Sequence, residues 1–330
     1  MERTTKRTAL DDEMFRQLKQ SLRNAVRSNS YSELGRDLAR RFDKIDQQQD
    51  QLKIEIGRIL VTLRDGRYAS PSTFLDAEFK IFSQWGDDGL IQFLIAELTV
   101  ARRIFIEFGV GNYKESNTRF LLMKDNWSGL IFDSSKKNID QVKSAYYFWH
   151  HDLIAKDRWI TVENIEAEIR QCGLAGDIGL LHIDVDGNDF WIWKKLEVIT
   201  PIIVIIEYNS VFGVERSITT PYRADFDRTK AHHSNLLFGA SLRGLVHLGN
   251  EKGYAFVGCN SAGNNAYFVR REFLTPNVKE VSVEAGYVES HFRESRGQDG
   301  RLTWLQGDSR LECISGSEVF DIATEKLVKL

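Results

Sequence analysis

The chain has 330 residues, 42% of them hydrophobic and 28% charged, with a formal net charge of −3. That length suits one large α/β domain with an accessory segment, and the weakly acidic balance argues against a dedicated nucleic-acid binder, whose affinity rests on excess Lys and Arg. Cys172, Cys259 and Cys313 are spaced for neither a disulfide framework nor a zinc cluster, no run approaches the roughly 20 apolar residues of a membrane span, and the polar N-terminus lacks the apolar core of a signal peptide, so a cytoplasmic protein is expected.

Residues 1–66 are rich in Gln, Asp, Arg and Lys, with apolar residues at helical spacing. Leu38, Ile45, Leu52 and Ile59 share one heptad position, and Phe42, Gln49, Ile56 and Leu63 the other, which predicts a coiled-coil seam with Gln49 as its polar register residue. The same spacing also reads as an amphipathic helix packed on its own domain. The flanking Asp46, Gln47, Gln48 and Asp50 leave no wide apolar face and favour an oligomerising helix, so a homo-oligomer is expected. Asp65-Gly66 and Ser70-Pro71-Ser72 mark the predicted boundary.

From Phe82 onward strand and helix patterns alternate, which predicts a parallel sheet covered on both faces. Short apolar runs place strands at 104–108, 129–133, 146–150, 178–184 and 202–208, with helices at 115–124, 136–145, 161–172, 189–199 and 236–252. Gly253 caps the last helix, and two strands, 254–259 and 265–270, follow as an antiparallel hairpin around 260–264. The predicted domains are therefore 1–66, 67–270 and a small β-rich appendage at 271–330.

The segment from Phe105 to Asp133 carries the chemistry. An apolar strand ends in Glu107-Phe-Gly-Val-Gly111, a helix follows, and the next strand ends in Asp133. Glycines let backbone approach a ligand closely, and a strand-end carboxylate can accept from a ribose diol, so the pattern reads as a nucleoside-cofactor cradle. A dinucleotide fingerprint fails, because Lys114 stands at its third glycine, and no P-loop is present. Three further signals follow: His151-Asp152 after the third predicted strand, His182-Ile-Asp-Val-Asp-Gly187 ending the fourth, and Ile205-Ile-Glu-Tyr-Asn209 ending the fifth.

With Lys252-Gly-Tyr254 before the hairpin, this ordered set resembles class I S-adenosylmethionine-dependent methyltransferases, and within them the FkbM-type family, over about residues 82–270. The resemblance implies a Rossmann-like seven-stranded methyltransferase sheet with helices on both faces and a terminal antiparallel hairpin. It implies S-adenosylmethionine as cofactor, held by Glu107, Gly109, Gly111, Asp133, Ser134, Asp152 and Asp184. The chain departs from the pattern at Tyr113, which stands where the family commonly has a third glycine.

Methyl transfer to a hydroxyl needs a positioned acceptor and a group that removes its proton. Asp184, Asp186 and Asp189 share one loop, and Glu207 and Asn209 leave the neighbouring strand, an oxygen set suited to Mg²⁺ or Mn²⁺. That set is similar to metal-dependent sugar O-methyltransferases, which implies Asp184 and Glu207 as metal ligands and Asp186 as base. His233, beside His232 in the loop before the long helix, is an alternative base. Arg293, Arg296 and Arg301 are candidates for an acceptor phosphate or saccharide. The expected activity is O-methylation of a sugar in a glycan or glycosylated metabolite. The rivals are an NAD- or nucleotide-sugar-linked enzyme and a coiled-coil assembly protein with a degenerate methyltransferase domain.

Overall fold

A computed structural model of the chain describes residues 19, 21, 33–67, 74–291 and 294–330. The chain divides into two compact units between Arg58 and Ile59. Arg293 and Ser70-Pro71-Ser72 lie outside the described residues.

The heptad segment is helical, as α1 (Glu33–Arg67). Helix-surface pairs such as Asp37 with Arg41 support it. Its seam residues Ile45, Leu52, Ile56, Ile59 and Leu63 are solvent-exposed, Leu52 to 63%. The predicted break at Asp65-Gly66 falls inside the helix, which runs on to Arg67; one glycine costs a helix only about 1 kcal/mol and need not end it.

The larger unit is built on a seven-stranded sheet, β1 (Ile104–Phe108), β2 (Ser128–Asp133), β3 (Leu153–Asp157), β4 (Gly176–Ile183), β5 (Ile199–Glu207), β7 (Tyr254–Cys259) and β8 (Asn265–Arg270). A short β6 (Ile218–Thr219) lies outside it. The order is β3-β2-β1-β4-β5-β8-β7, with β1 to β5 parallel and β8 antiparallel to both its neighbours. The predicted fold class and its closing hairpin are therefore present. Alternate residues of each central strand enter separate cores: Ile106, Phe108, Leu130 and Phe132 in one, Phe105, Ile131, Leu180 and Ile203 in the other. Burial on both faces explains why these strands read as continuous apolar runs.

The third strand is a correction. Residues Tyr146–Trp149 form a short 3₁₀ helix, with Trp149 76% exposed, and the strand is Leu153–Asp157. An edge strand alternates, and here Leu153 and Ala155 are buried while Ile154 is exposed. The aromatic stretch next to it is the more continuous apolar run, and so resembles a buried strand in sequence. Helices α2 (Asp87–Glu97), α3 (Arg119–Asp125), α4 (Lys136–Ser144), α5 (Ile165–Gln171), α6 (Asp189–Lys195), α7 (Arg228–Ala231) and α8 (Leu242–Glu251) surround the sheet. Several start later than the periodicity predicts. For α8 the reason is Ser241, whose hydroxyl caps Gly244 N–H and fixes the start there rather than at 236.

Asp87, buried at the start of α2, ties that helix to the closing hairpin. It accepts from Tyr267 Oη at 2.5 Å, Asn265 Nδ2 at 2.9 Å and Asn260 Nδ2 at 3.2 Å. The C-terminal residues, predicted as β-rich, form two short helices, α9 (Val283–Gly286) and α10 (Asp308–Cys313), and one hairpin, β9 (Glu318–Asp321) with β10 (Lys326–Lys329). Strand β9 pairs with β6, making a three-stranded sheet. Among the described residues no helix is long and apolar enough to cross a membrane.

Candidate active site

Strand order reverses between β1 and β4, and in open parallel sheets ligands lie beyond the strand C-termini at such a point. A cavity of about 900 Å³ sits there, lined by Gly109, Gly111, Asp133, Ser134, Asp184, Asp186 and Glu207 among others. Seven of the predicted site residues are thus brought to one cavity.

The glycines have different jobs. Gly109 has φ +76°, and a Cβ there would stand 1.7 Å from the Asp184 carbonyl oxygen, so this residue lets the β1 turn pass the end of β4. Gly111, at φ +54°, has open space where a Cβ would go. Its N–H donates to Asp133 Oδ2 at 2.8 Å, while Oδ1 accepts from Ser135 N at 2.8 Å and Asn138 Nδ2 at 3.0 Å. A carboxylate offers about four acceptor positions, so Asp133 keeps roughly one for a ligand hydroxyl.

Tyr113 holds a backbone conformation that glycine usually supplies. It sits at φ +60°, a left-handed conformation uncommon for a bulky residue, and is fully buried with its hydroxyl 3.0 Å from Thr118 Oγ1. Buried Glu107 organises this loop from below. It accepts from Ser116 Oγ at 2.6 Å, Asn117 N at 3.1 Å and the Thr118 hydroxyl, and it pairs with His182 Nδ1 at 3.0 Å. Burial pushes the Glu107 carboxyl up, but His182, Ser116 and Thr118 outweigh it and hold it below the usual glutamate range. Burial likewise pulls His182 down, and Glu107 outweighs that to raise it. Glu107 therefore positions the loop and does not line the cavity.

Asp152 precedes β3, and its carbonyl accepts from Gly129 N at the start of β2. It lies at the end of the sheet opposite the cavity, because it precedes β3 instead of following it. Arg158, Trp159 and Ile160, just past the C-terminal end of β3, line the cavity instead. The signal for them was the acid-ended strand Leu153–Asp157, whose last residue is in register with Asp133.

At the other end of the cavity, carboxylate oxygens of Asp184, Asp186 and Glu207 lie within 4.8 Å of one another. Burial pushes the Asp184 carboxyl up to about 7, with Asp186 adding to the rise and His182 opposing it. Burial, then Asp184, Asp186 and Asp189, raise Glu207 well above the usual glutamate range against the pull of Arg228. Glu207 Oε2 is buried and has no hydrogen-bond partner. Carboxylates this close repel one another when ionised, so the arrangement favours a proton or a cation between Asp184 and Glu207. Asp186 is at φ +56°, and Arg228 Nη1 lies 3.4 Å from it. Asp189 is structural, accepting from Val185 N at 2.8 Å and Gly187 N at 2.9 Å.

His233 is not part of the cavity lining. With His232 it lies beside Cys313, one ligand atom from each within 4.8 Å, although the sequence spacing offered no zinc cluster. Arg310, which no motif singled out, lines the cavity with Arg296; Arg301 does not.

No protein-family model and no curated protein sequence match the chain. Among solved structures it is similar to the N-terminal domain of EvdMO1 with SAH bound, at 12% identity over 65% of this chain and 94% of that one, TM-score 0.38. It is also similar to the O-methyltransferase from Bacillus cereus in complex with SAH, at 14% identity over 66% and 88%, TM-score 0.38. A third is an S-adenosylmethionine-dependent methyltransferase from Clostridium acetobutylicum, at 8% identity over 56% and 89%, TM-score 0.36.

Proposed function

We propose that this chain is an S-adenosylmethionine-dependent O-methyltransferase of the FkbM type, acting on a sugar hydroxyl in a glycan or glycosylated metabolite. One observation carries the reading. A parallel sheet closed by a reversed hairpin strand holds, at its switch point, a glycine turn and a strand-end acid at one end of a cavity and three convergent carboxylates at the other. Gly111, Asp133, Ser134 and the surface of Trp159 and Ile160 fit a nucleoside, because they combine open backbone, a free acceptor position and an apolar face.

Asp184, Asp186 and Glu207 fit a divalent cation, since all are oxygen donors and Glu207 Oε2 is a buried acceptor without a donor. When bound, S-adenosylmethionine supplies an activated methyl group and Mg²⁺ or Mn²⁺ makes a coordinated hydroxyl more acidic. The chain's part is to orient and deprotonate the acceptor. Asp184 and Glu207 are the ligands in this reading and Asp186, the most exposed of the three, receives the proton. His233 is set aside as the base because it does not line the cavity. The protein is cytoplasmic and self-associates through α1, whose exposed apolar seam would otherwise face water.

Labelled S-adenosylmethionine, incubated with purified protein and a panel of saccharides, tests the activity. Transfer that EDTA abolishes and Mg²⁺ restores is expected. Transfer unaffected by EDTA removes the ligand roles of Asp184 and Glu207, and binding of NAD or nucleotide sugars in place of S-adenosylhomocysteine overturns the cofactor.

A further inference from the structure

Four arginines line the cavity, and three have a carboxylate of the chain beside them: Arg158 with Glu168 at 2.8 Å, Arg228 with Asp186 at 3.4 Å and Arg296 with Glu294 at 3.0 Å. Arg310 is different. It is only 8% exposed, its Nε has no hydrogen-bond partner, and among the described residues no acid pairs with it. Burial holds its guanidinium below the usual arginine range, against the pull of Glu289 and Tyr287, with Arg228 lowering it further. A buried cation with no acid at ion-pair distance is costly, and a guanidinium fork matches a carboxylate or phosphate bidentately.

The residue's place in the fold separates two sources of such an anion. Arg310 sits on α10, which packs against Ser210–Phe212, the segment that follows β5. The nucleoside end of the cavity, at β1, β2 and β3, is on the other side of β4. We propose that Arg310 anchors an anionic group of the acceptor, so that the substrate is a sugar phosphate or an acidic sugar and not a neutral saccharide. This rests on the methyltransferase reading for the word acceptor, but not for the anion site.

Calorimetry at low salt with glucose 1-phosphate, glucuronate and neutral methyl glucoside, on wild type, Arg310→Gln and Arg310→Lys, tests it. The two charged sugars should bind wild type, the neutral one should not, and Arg310→Gln should weaken the anions roughly 10- to 100-fold. Arg310→Lys keeps the charge without the fork and should fall between. Arg310→Gln should melt at or above wild type, because the unpaired buried charge is gone, and should keep its affinity for S-adenosylhomocysteine. Equal anion binding by Arg310→Gln, or none by wild type, overturns the proposal. So does lost S-adenosylhomocysteine binding with anion affinity intact, which gives Arg310 to the cofactor's carboxylate. Wild type that ignores S-adenosylhomocysteine but binds anions through Arg310 keeps the anchor and removes the methyltransferase reading.

A separate observation concerns the loop at 232–235 and α10. His232, His233 and Cys313 offer two nitrogens and a sulfur within 4.8 Å of one another, and Ser234 Oγ holds the His232 ring by Nδ1 at 2.7 Å. Two imidazoles and a thiolate form a donor set for Zn²⁺. We infer a zinc site that fastens this loop to the helix carrying Arg310. Titration with Co²⁺ reads it directly. One equivalent should give a near-ultraviolet thiolate-to-cobalt band that Zn²⁺ displaces and that Cys313→Ser and His233→Ala lose. The acid cluster, having only oxygen donors, cannot produce that band. Its absence from wild type, or its survival in Cys313→Ser, overturns the site.

Discussion

The two glycines of the β1 turn should respond differently to the same added methyl group. In Gly109→Ala the new Cβ would stand 1.7 Å from the Asp184 carbonyl oxygen, a backbone atom one residue past the end of β4, and the residue would hold φ +76°. The left-handed conformation costs about 1–2 kcal/mol and forced overpacking about 1–3 kcal/mol, so a loss of roughly 2–5 kcal/mol is expected. Gly111→Ala meets nothing within 4 Å and holds φ +54°. It should therefore lose only about 1–2 kcal/mol. Its methyl enters the cavity, so S-adenosylhomocysteine affinity should fall about tenfold or more. Urea denaturation of both variants gives the stabilities and calorimetry gives the affinities. Equal destabilisation would refute the claim that Gly109 is a packing glycine, and unchanged affinity in a folded Gly111→Ala would refute the claim that Gly111 faces the ligand.

Three further outcomes follow from the same contacts. Tyr267→Phe removes the 2.5 Å donor to buried Asp87 and should cost about 1–3 kcal/mol, with an unchanged urea midpoint counting against the tie between α2 and the hairpin. Glu107 is held below its ordinary pKa of 4.5, so its contribution is fully present above that value and is lost as pH falls through the lowered one. Thermal melts of Glu107→Gln should accordingly show a shallower acid-side fall than wild type, and parallel curves would contradict the assignment. Trp159→Ala should weaken S-adenosylhomocysteine binding by about 1–3 kcal/mol if the indole stacks on the base, whereas unaltered binding assigns Trp159 to its hydrogen bond with the Ala224 carbonyl alone.

The central sheet was legible because parallel strands buried on both faces are continuous apolar runs, and the hairpin because Gly253 and the 260–264 turn bracket it. That Asp133, Asp184, Asp186 and Glu207 meet at one cavity was legible for a related reason: Asp133 and Glu207 end β2 and β5, Asp184 and Asp186 lie just past β4, and strand ends meet at the switch point. What failed depended on long-range contacts. The edge strand β3 alternates and lost to the aromatic run at 146–149, which carried Asp152 to the wrong end of the sheet. Glu107 looked like a ligand contact, but its oxygens serve residues 116–118 and His182. Arg310 and the proximity of Cys313 to His232 and His233 arise only when the C-terminal segment folds back on β6, a pairing across about a hundred residues that no local pattern encodes.

The most direct test of the cofactor assignment is calorimetric titration of S-adenosylhomocysteine into wild-type protein and into Asp133→Ala. The account predicts one site per chain in wild type and binding weakened at least tenfold in a variant that still folds. No binding to wild type, or equal binding to both, would contradict it.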